Sequence, residues 1–176
     1  MSDNIYNAIG AFPLEGILEA YSPYGNGHIN DTYILTFKQP AGSVNYILQR
    51  INHNVFKNPE AVMENIMGIT RHLKAKIIAA GGDYKRETLN VIPAKDGLAF
   101  YRDDCGSYWR VYDFIRDATS HQSVERPEDF YNSALAFGGF VRLLADYPAA
   151  TLHETIPNFH NTPARMQRFN RRWKPM

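Results

Sequence analysis

Apolar and polar residues alternate along the first 50 residues in a pattern that predicts three short β-strands. The predicted strands are residues 17–24, the β-branched and aromatic run 32–37, and residues 46–48. Sequences rich in glycine, asparagine and proline separate them. We therefore expect a three-stranded antiparallel meander whose first corner is a glycine-rich turn.

A helical spacing of apolar residues follows the meander and predicts one long helix. Pro59 suits its first turn, Asn58 is a candidate N-cap, and Gly81 with Gly82 is expected to end it. A short helix at 5–12 is predicted to precede the meander, and further strands are predicted at 90–94, 98–101 and 108–115. The apolar positions of the long helix are Val62, Ile66, Ile69, Leu73 and Ile77.

The pattern changes after residue 115, where strands give way to helices. Residues 116–126 are polar and predict a linker, Pro127 is expected to open a second helix, and a third helix is predicted from Thr162 with Met166 and Phe169 facing inward. The predicted fold class is therefore α+β, with a β-rich lobe at 1–115 and helices at 127–176. These helices are too few to enclose a core, so we expect another part of the protein, a partner or a second copy in a homodimer to cover them. The apolar stripe of the second helix is Phe130, Ala134, Phe137, Val141 and Leu144.

Composition narrows the class of protein. Of the 176 residues, 44% are hydrophobic and 21% are charged, which is typical of a soluble globular protein, and the net charge of +1 argues against general nucleic-acid binding. No segment approaches the ~20 apolar residues of a membrane span, and the start lacks the features of a signal peptide. The single cysteine, Cys105, excludes an internal disulfide. We expect a cytoplasmic protein without a membrane or nucleic-acid partner.

The glycine-rich turn between the first two strands is the first candidate for chemistry. Glycines there would let backbone N–H groups approach an anion such as a phosphate. No Gly-Lys-Ser/Thr follows, so this is not a strand-to-helix phosphate loop. Taken alone, the sequence is more typical of an ordinary hairpin turn. The candidate residues of the turn are Gly25, Asn26, Gly27, His28 and Asn30.

Three further signals each have a functional and a structural interpretation. Arg50 could reach nucleotide phosphates from the end of the third strand, with Glu64 on the long helix to hold it, or both could be surface residues. The strand at 109–115 could present its backbone to a flat base, or serve as a core strand. His160 could contact a substrate, although a histidine beside an aromatic residue is more often structural.

The ordered set of these stretches is similar to a known group of enzymes. Together they resemble the N-acetylhexosamine 1-kinases within the aminoglycoside phosphotransferase and choline kinase superfamily. That superfamily has a protein-kinase-like fold, in which an antiparallel sheet with one long helix precedes a helical lobe. The stretches that carry the resemblance are 24–30, 46–52, 109–112 and 154–163, with Arg165 and Phe169 after them.

The resemblance implies an ATP-dependent sugar kinase that phosphorylates the anomeric hydroxyl of N-acetylglucosamine or N-acetylgalactosamine with Mg²⁺. The glycine turn would lie over the ATP phosphates, and Gln49 or Arg50 would stand at the position of the phosphate-binding cation, with Glu64 as its partner. His160 would lie towards the sugar. The residues implied to line the adenine pocket are Tyr112, Asp113, Phe114 and Ile115.

The sequence also departs from this pattern. The His-Asn-Asp loop and the later aspartate that serve catalysis and Mg²⁺ binding have no counterpart here, so we expect no catalytic residue and no metal ligand in this chain. Gln49 replaces the usual lysine or arginine, and Glu64 lies about one turn from the usual position near Met67. We therefore expect this chain to be the nucleotide-binding part of the kinase and to be inactive on its own. The alternative is a standalone, non-catalytic module resembling a pseudokinase.

Overall fold

The computed structural model of the chain describes residues 2–118, 123–124 and 126–172. Over these ranges the protein is a mixed α+β fold with a six-stranded antiparallel sheet and five α-helices. The predicted linker at 116–126 and the predicted helical region at 127–176 lie partly outside the described residues. The strands are β1 Ile17–Pro23, β2 Asp31–Gln39, β3 Gly42–Ile51, β4 Val91–Ile92, β5 Tyr101–Arg102 and β6 Tyr108–Asp113. The helices are α1 Ser2–Gly10, α2 Pro59–Ala79, α3 Tyr84–Glu87, α4 Pro127–Leu143 and α5 Thr162–Arg172.

The first three strands form the predicted meander, which is confirmed. β1 pairs with β2 and β2 with β3, all antiparallel, and the order across the sheet is β1-β2-β3-β6-β4. β6 therefore returns from a distant part of the chain to lie beside β3, with β5 paired to β6. The predicted strand at 98–101 is wrong over most of its length, because only Tyr101 belongs to β5. The short helix α3 was not predicted.

Local sequence signals fix both ends of α2, as predicted. The Asn58 side chain caps the helix by accepting a hydrogen bond from the Ala61 N–H at 3.1 Å. At the other end, Gly81 adopts a φ of +76°, and the Gly82 N–H donates to the Ile77 carbonyl at 2.9 Å. This is the Schellman arrangement, in which a left-handed glycine turns the chain out of the helix.

The sheet has a different neighbour on each face. On one face, α1 packs over a core that includes Leu35, Leu48 and Val111, each fully buried. On the other face lies α2, whose Met63 is 1% exposed. Successive residues of a strand point to opposite faces, so each face receives every second residue of β3 and β6. This alternation decides which candidate site residues share a surface.

The two helices that follow the sheet have exposed apolar sides, and for α5 this differs from the prediction. Met166 and Phe169 of α5 are each 57% exposed, so the expectation that they face inward is wrong. The spacing of these residues shows that the helix has an apolar side. It does not show whether another part of the protein covers that side. The apolar side of α4 is also exposed, with Phe137 at 73%. Among the described residues, no helix is both long and apolar enough to cross a membrane.

The segment between α4 and α5 contacts α2. The Asn65 side chain donates to the His153 carbonyl and accepts from the His153 N–H, both at 2.9 Å. The Lys76 ammonium donates to the Leu143 carbonyl at 2.7 Å and pairs with Asp146. These polar contacts hold residues 143–153 against the lobe that contains the sheet.

Candidate functional site

The glycine turn joins β1 to β2 and is open to solvent. Its base is fixed because the Tyr24 N–H donates to the Thr32 carbonyl at 2.9 Å. Gly25 has a φ of +78°, a conformation that favours glycine, and Asn26 is exposed beside it. Gly27 has an ordinary φ, and a Cβ added there would meet no atom within 4 Å. The free chain therefore does not need glycine at 27 for its own packing.

The second half of the turn is held by hydrogen bonds. The Asn30 side chain accepts from the Asn52 N–H at 3.0 Å, which ties the start of β2 to the end of β3. His28 lines an open polar cleft of about 380 Å³ together with Asp31, Arg50 and other residues. The structure thus gives Asn30 an anchoring contact, while His28 stays accessible.

Three polar side chains form a row across neighbouring strands on the α2 face of the sheet. Register places Thr32 of β2 opposite Gln49 of β3, and Gln49 opposite Arg110 of β6. The Gln49 amide donates to the Thr32 hydroxyl at 2.9 Å, and its oxygen accepts from Arg110 Nε at 3.0 Å and Nη2 at 2.7 Å. Arg110 Nη1 also reaches the Met63 sulfur of α2 at 3.7 Å. We call Thr32, Gln49 and Arg110 the polar row.

Arg50 lies on the other face of the sheet. Its Nε donates to Asp31 Oδ2 at 2.7 Å, and its guanidinium lies 5.9 Å from the centre of the Trp109 ring, on the α1 side. Because Arg50 directly follows Gln49 in a regular strand, the two side chains diverge. The structure therefore does not bring Arg50 to the polar row.

Glu64 also lies apart from both Gln49 and Arg50 of β3. Its carboxylate oxygen lies 2.5 Å from His153 Nε2, in the contact between α2 and residues 143–153. Glu64 makes no ion pair with Arg50 and no hydrogen bond with Gln49. The polar row has instead an arginine on β6, which the sequence-based assignment of site residues left out.

The electrostatics of Arg110 set it apart from surface arginines. Burial lowers the pKa of its guanidinium below the ordinary value, and Tyr112, two residues along the same face, partly offsets this. Burial likewise raises the pKa of the Tyr112 hydroxyl, and Arg110 opposes that rise. Among the residues that the structure describes, no carboxylate lies within ion-pair distance of Arg110. Arg110 is therefore a partly buried cation whose hydrogen-bond partners, Gln49 and Met63, are both neutral.

The strand end at Tyr112–Ile115 lies on the same lobe and leads out of the sheet. The Asp113 N–H donates to the Asn90 carbonyl at 3.1 Å, and the Phe114 N–H donates to the Asn45 carbonyl at 3.3 Å. These two backbone donors are therefore engaged within the protein. Of the four residues implied to line the adenine pocket, Ile115 is the one that follows these two contacts. The contacts of Asp113 and Phe114 fit the interpretation of this segment as a core strand. The interpretation that its backbone binds a flat base stays a prediction for Ile115.

The turn and the strand end meet through two aromatic rings. Tyr24 and Phe114 lie 5.6 Å apart between ring centres, with an interplanar angle of 81°. Tyr24 is 44% exposed. The structure thus brings Tyr24, at the base of the glycine turn, to the same sheet face as the polar row and the strand end, while His28 of the turn shares its cleft with Arg50.

His160 belongs to a separate cleft of about 480 Å³, formed by residues of the 154–161 loop. Its ring packs edge-to-face on Phe159 at 4.9 Å, and Asn158 in the same loop has a φ of +59°. No contact of His160 joins it to the glycine turn or the polar row in the described ranges.

Arg110 is the site residue that sequence reasoning missed. The sequence did indicate that Arg110 shares one face of the predicted strand with Tyr108 and Tyr112. Only the pairing of β6 with β3, however, places Arg110 beside Gln49. Within the described ranges, no group of three or more His, Cys, Asp or Glu side chains could hold a metal ion. Scanned against models of known protein families, the chain matches none.

Proposed function

We propose that this chain is the N-terminal, nucleotide-binding part of an ATP-dependent phosphotransferase that resembles sugar 1-kinases acting on N-acetylhexosamines. The observation that carries the proposal is that Tyr24 at the base of an open glycine turn, the polar row and an aromatic strand end lie on one sheet face. The order of the elements supports it too, because strand β6 leads from this face towards the helical region.

Each part of the site has a distinct task in this proposal. The backbone N–H groups of the turn around Gly25 and Gly27 donate to phosphate oxygens, and such charge-assisted hydrogen bonds are strong. The aromatic rings of Tyr24 and Phe114 offer apolar surface to a purine base. The site assigned here is for the nucleotide.

The proposed specificity for N-acetylhexosamines rests on the sequence resemblance. The geometry of the sheet does not bear on it. His160 keeps the role of a candidate sugar contact, because it lines an open cleft in the region after the sheet. The amino sugar and the Mg²⁺-dependent transfer are part of the proposal for the whole phosphotransferase.

ATP binding to the purified chain, followed by isothermal titration calorimetry, tests the proposal. Gly27→Val adds bulk where the free chain has open space, so it should fold like the wild type and yet keep phosphate from the backbone. We expect it to weaken ATP binding by about tenfold, the loss of roughly one charge-assisted hydrogen bond. Gly138→Ala, in open space on α4, is the matched control and should leave ATP affinity unchanged. Unaltered binding by a folded Gly27→Val chain would contradict the phosphate role of the turn, and no binding by the wild type would contradict the proposal itself.

A second candidate function is a non-catalytic module that works through association, resembling a pseudokinase. The observation that favours it is the exposed apolar side of α4, where Phe130, Phe137 and Val141 are 69%, 73% and 66% exposed. Patches of this kind mark interaction surfaces. Sedimentation velocity together with the ATP titration distinguishes the two candidate functions. A stable dimer that does not bind ATP would favour the non-catalytic module, and a monomer that binds ATP would contradict it.

A further inference from the structure

We infer that Arg110, on β6, is the cation that binds the phosphate groups of the nucleotide, and that Gln49 holds it in place. This inference rests on the proposed function and deepens it. It moves the phosphate-binding charge from β3, where Arg50 is the candidate, to the neighbouring strand.

The first argument is the state of the guanidinium. A partly buried charge is costly unless an opposite charge or several hydrogen bonds compensate it. Arg110 has one neutral amide oxygen, at 2.7 and 3.0 Å, and one weak acceptor, the Met63 sulfur at 3.7 Å. In the described part of the chain it has no carboxylate partner. An anion that enters this face would meet an uncompensated positive charge.

The second argument is the way Gln49 orients that charge. Its oxygen accepts from two nitrogens of the guanidinium, and its amide nitrogen is fixed by the Thr32 hydroxyl at 2.9 Å. Gln49 thereby limits the rotation of Arg110 without neutralising it, which a glutamate would do. A cation held in advance loses less conformational entropy when an anion binds.

The third argument is position. Thr32 of the polar row accepts, at its carbonyl, the hydrogen bond from the Tyr24 N–H at the base of the glycine turn. The row therefore begins beside the base of the turn and runs from β2 across β3 to Arg110 on β6. Arg50 lacks this position because it faces the α1 side and is paired with Asp31.

The test compares ATP with adenosine on charge-removing variants. Arg110→Met should lower ATP affinity by about 10- to 100-fold, the range for a hydrogen bond to a charged group, and leave adenosine affinity within about twofold. Arg142→Met removes the same charge from the exposed side of α4 and should leave both affinities unchanged. Arg50→Met is the rival variant: a loss of ATP affinity there, with none in Arg110→Met, would overturn the inference.

A second readout covers the case in which Arg110→Met does not fold. The ¹⁵Nε resonance of Arg110 in the wild type should shift when inorganic tripolyphosphate is added, and the resonance of Arg142 should not. A stationary Arg110 signal at saturating tripolyphosphate would overturn the inference. If the wild type binds neither ATP nor adenosine, the nucleotide proposal fails, and the tripolyphosphate titration still decides whether Arg110 binds phosphate groups.

Discussion

The ring of Tyr24, at the base of the glycine turn, meets the ring of Phe114, at the end of β6, nearly at a right angle and 5.6 Å away. The contact joins two segments that are 90 residues apart in the sequence and bridges the face that carries the polar row. In the proposed function these two rings offer their apolar surface to a purine base. We therefore expect nucleotide binding to rearrange this pair.

The first prediction concerns the strength of the Tyr24–Phe114 contact. A double-mutant cycle with Tyr24→Ala and Phe114→Ala should give a coupling of about 0.5 kcal/mol, the lower end for aromatic pairs, because Tyr24 is almost half exposed. Urea unfolding of the four chains measures it. In the presence of ATP the coupling should fall. A coupling that is indistinguishable from zero without ATP would show that the ring contact does not stabilise the free chain.

The second prediction concerns the only glycine inside α2, Gly68. A Cβ at this position would lie 2.3 Å from the Tyr147 hydroxyl oxygen and 3.5 Å from its Cζ. Gly68→Ala should therefore push Tyr147 away from His72, whose ring it contacts edge-to-face at 5.2 Å. NMR shifts of the His72 ring protons should move towards those of a Tyr147→Ala chain.

Removal of the hydroxyl should reverse this effect. The double variant Gly68→Ala with Tyr147→Phe keeps the ring and removes the clashing oxygen, so its His72 shifts should return towards the wild type. Gly138→Ala is the control in an open stretch of helix, where alanine should stabilise α4 by up to about 1 kcal/mol and leave His72 unchanged. Unchanged His72 chemical shifts in Gly68→Ala would contradict the close approach of Tyr147 to α2.

The third prediction concerns Asp103, a buried carboxylate in the turn between β5 and β6. It accepts from the Cys105 N–H at 3.0 Å, the Ser107 N–H at 2.8 Å and the Trp109 indole N–H at 2.8 Å. Asp103→Ala leaves these donors without their acceptor and should lower the free energy of unfolding by about 3 kcal/mol. Exposed Asp104 is the matched control, and Asp104→Ala should change stability by less than about 0.5 kcal/mol.

Tryptophan fluorescence gives this prediction a second readout. Trp109 is 2% exposed and its indole N–H donates to Asp103, so the loss of this partner should shift its emission wavelength in the folded state. An Asp103→Ala chain as stable as the Asp104→Ala chain, with unshifted emission, would contradict the anchoring role of the carboxylate.

The fourth prediction concerns pH and the contact of residues 143–153 with α2. A hydrogen bond from Lys76 is the largest of the effects that lower the pKa of the Asp146 carboxyl below its ordinary value in the folded chain. A group with a lowered folded-state pKa stabilises the fold above its unfolded pKa of about 4, and this contribution is lost as the pH falls through the lowered value. The docked segment should therefore loosen in acid, measured by the His72 and Tyr147 NMR shifts between about pH 7 and pH 2.5.

Asp146→Asn isolates this effect from general acid unfolding, because it removes the titrating group but keeps an oxygen near Lys76. The difference between the wild type and Asp146→Asn should be constant above about pH 5 and shrink below about pH 4. A difference that stays constant over the whole range would mean that the Asp146 contact does not contribute to docking.

Local sequence signals predicted much of the fold. The meander follows from alternation and turn residues, and both ends of α2 follow from Asn58, Gly81 and Gly82, because each signal acts within a few residues. The apolar side of α5 was also visible, but periodicity identifies a face without showing what it meets. The inward orientation of Met166 and Phe169 was wrong for that reason.

The site was harder to predict because its residues meet through long-range pairing. Gln49 and Arg110 are 61 positions apart, and Glu64 and His153 are 89 apart. No local pattern reveals that β6 lies beside β3 or that residue 153 returns to α2. Sequence reasoning therefore placed the cation on β3 and left out Arg110.

The most direct test of the account is a titration of the ¹⁵N-labelled chain with ATP, followed by backbone and arginine side-chain NMR. We expect saturable shifts in the glycine turn, in the polar row and at residues 112–115, with the 162–172 helix unaffected. Shifts confined to α4 and α5, or none at millimolar ATP, would contradict the assignment of this sheet face to a nucleotide.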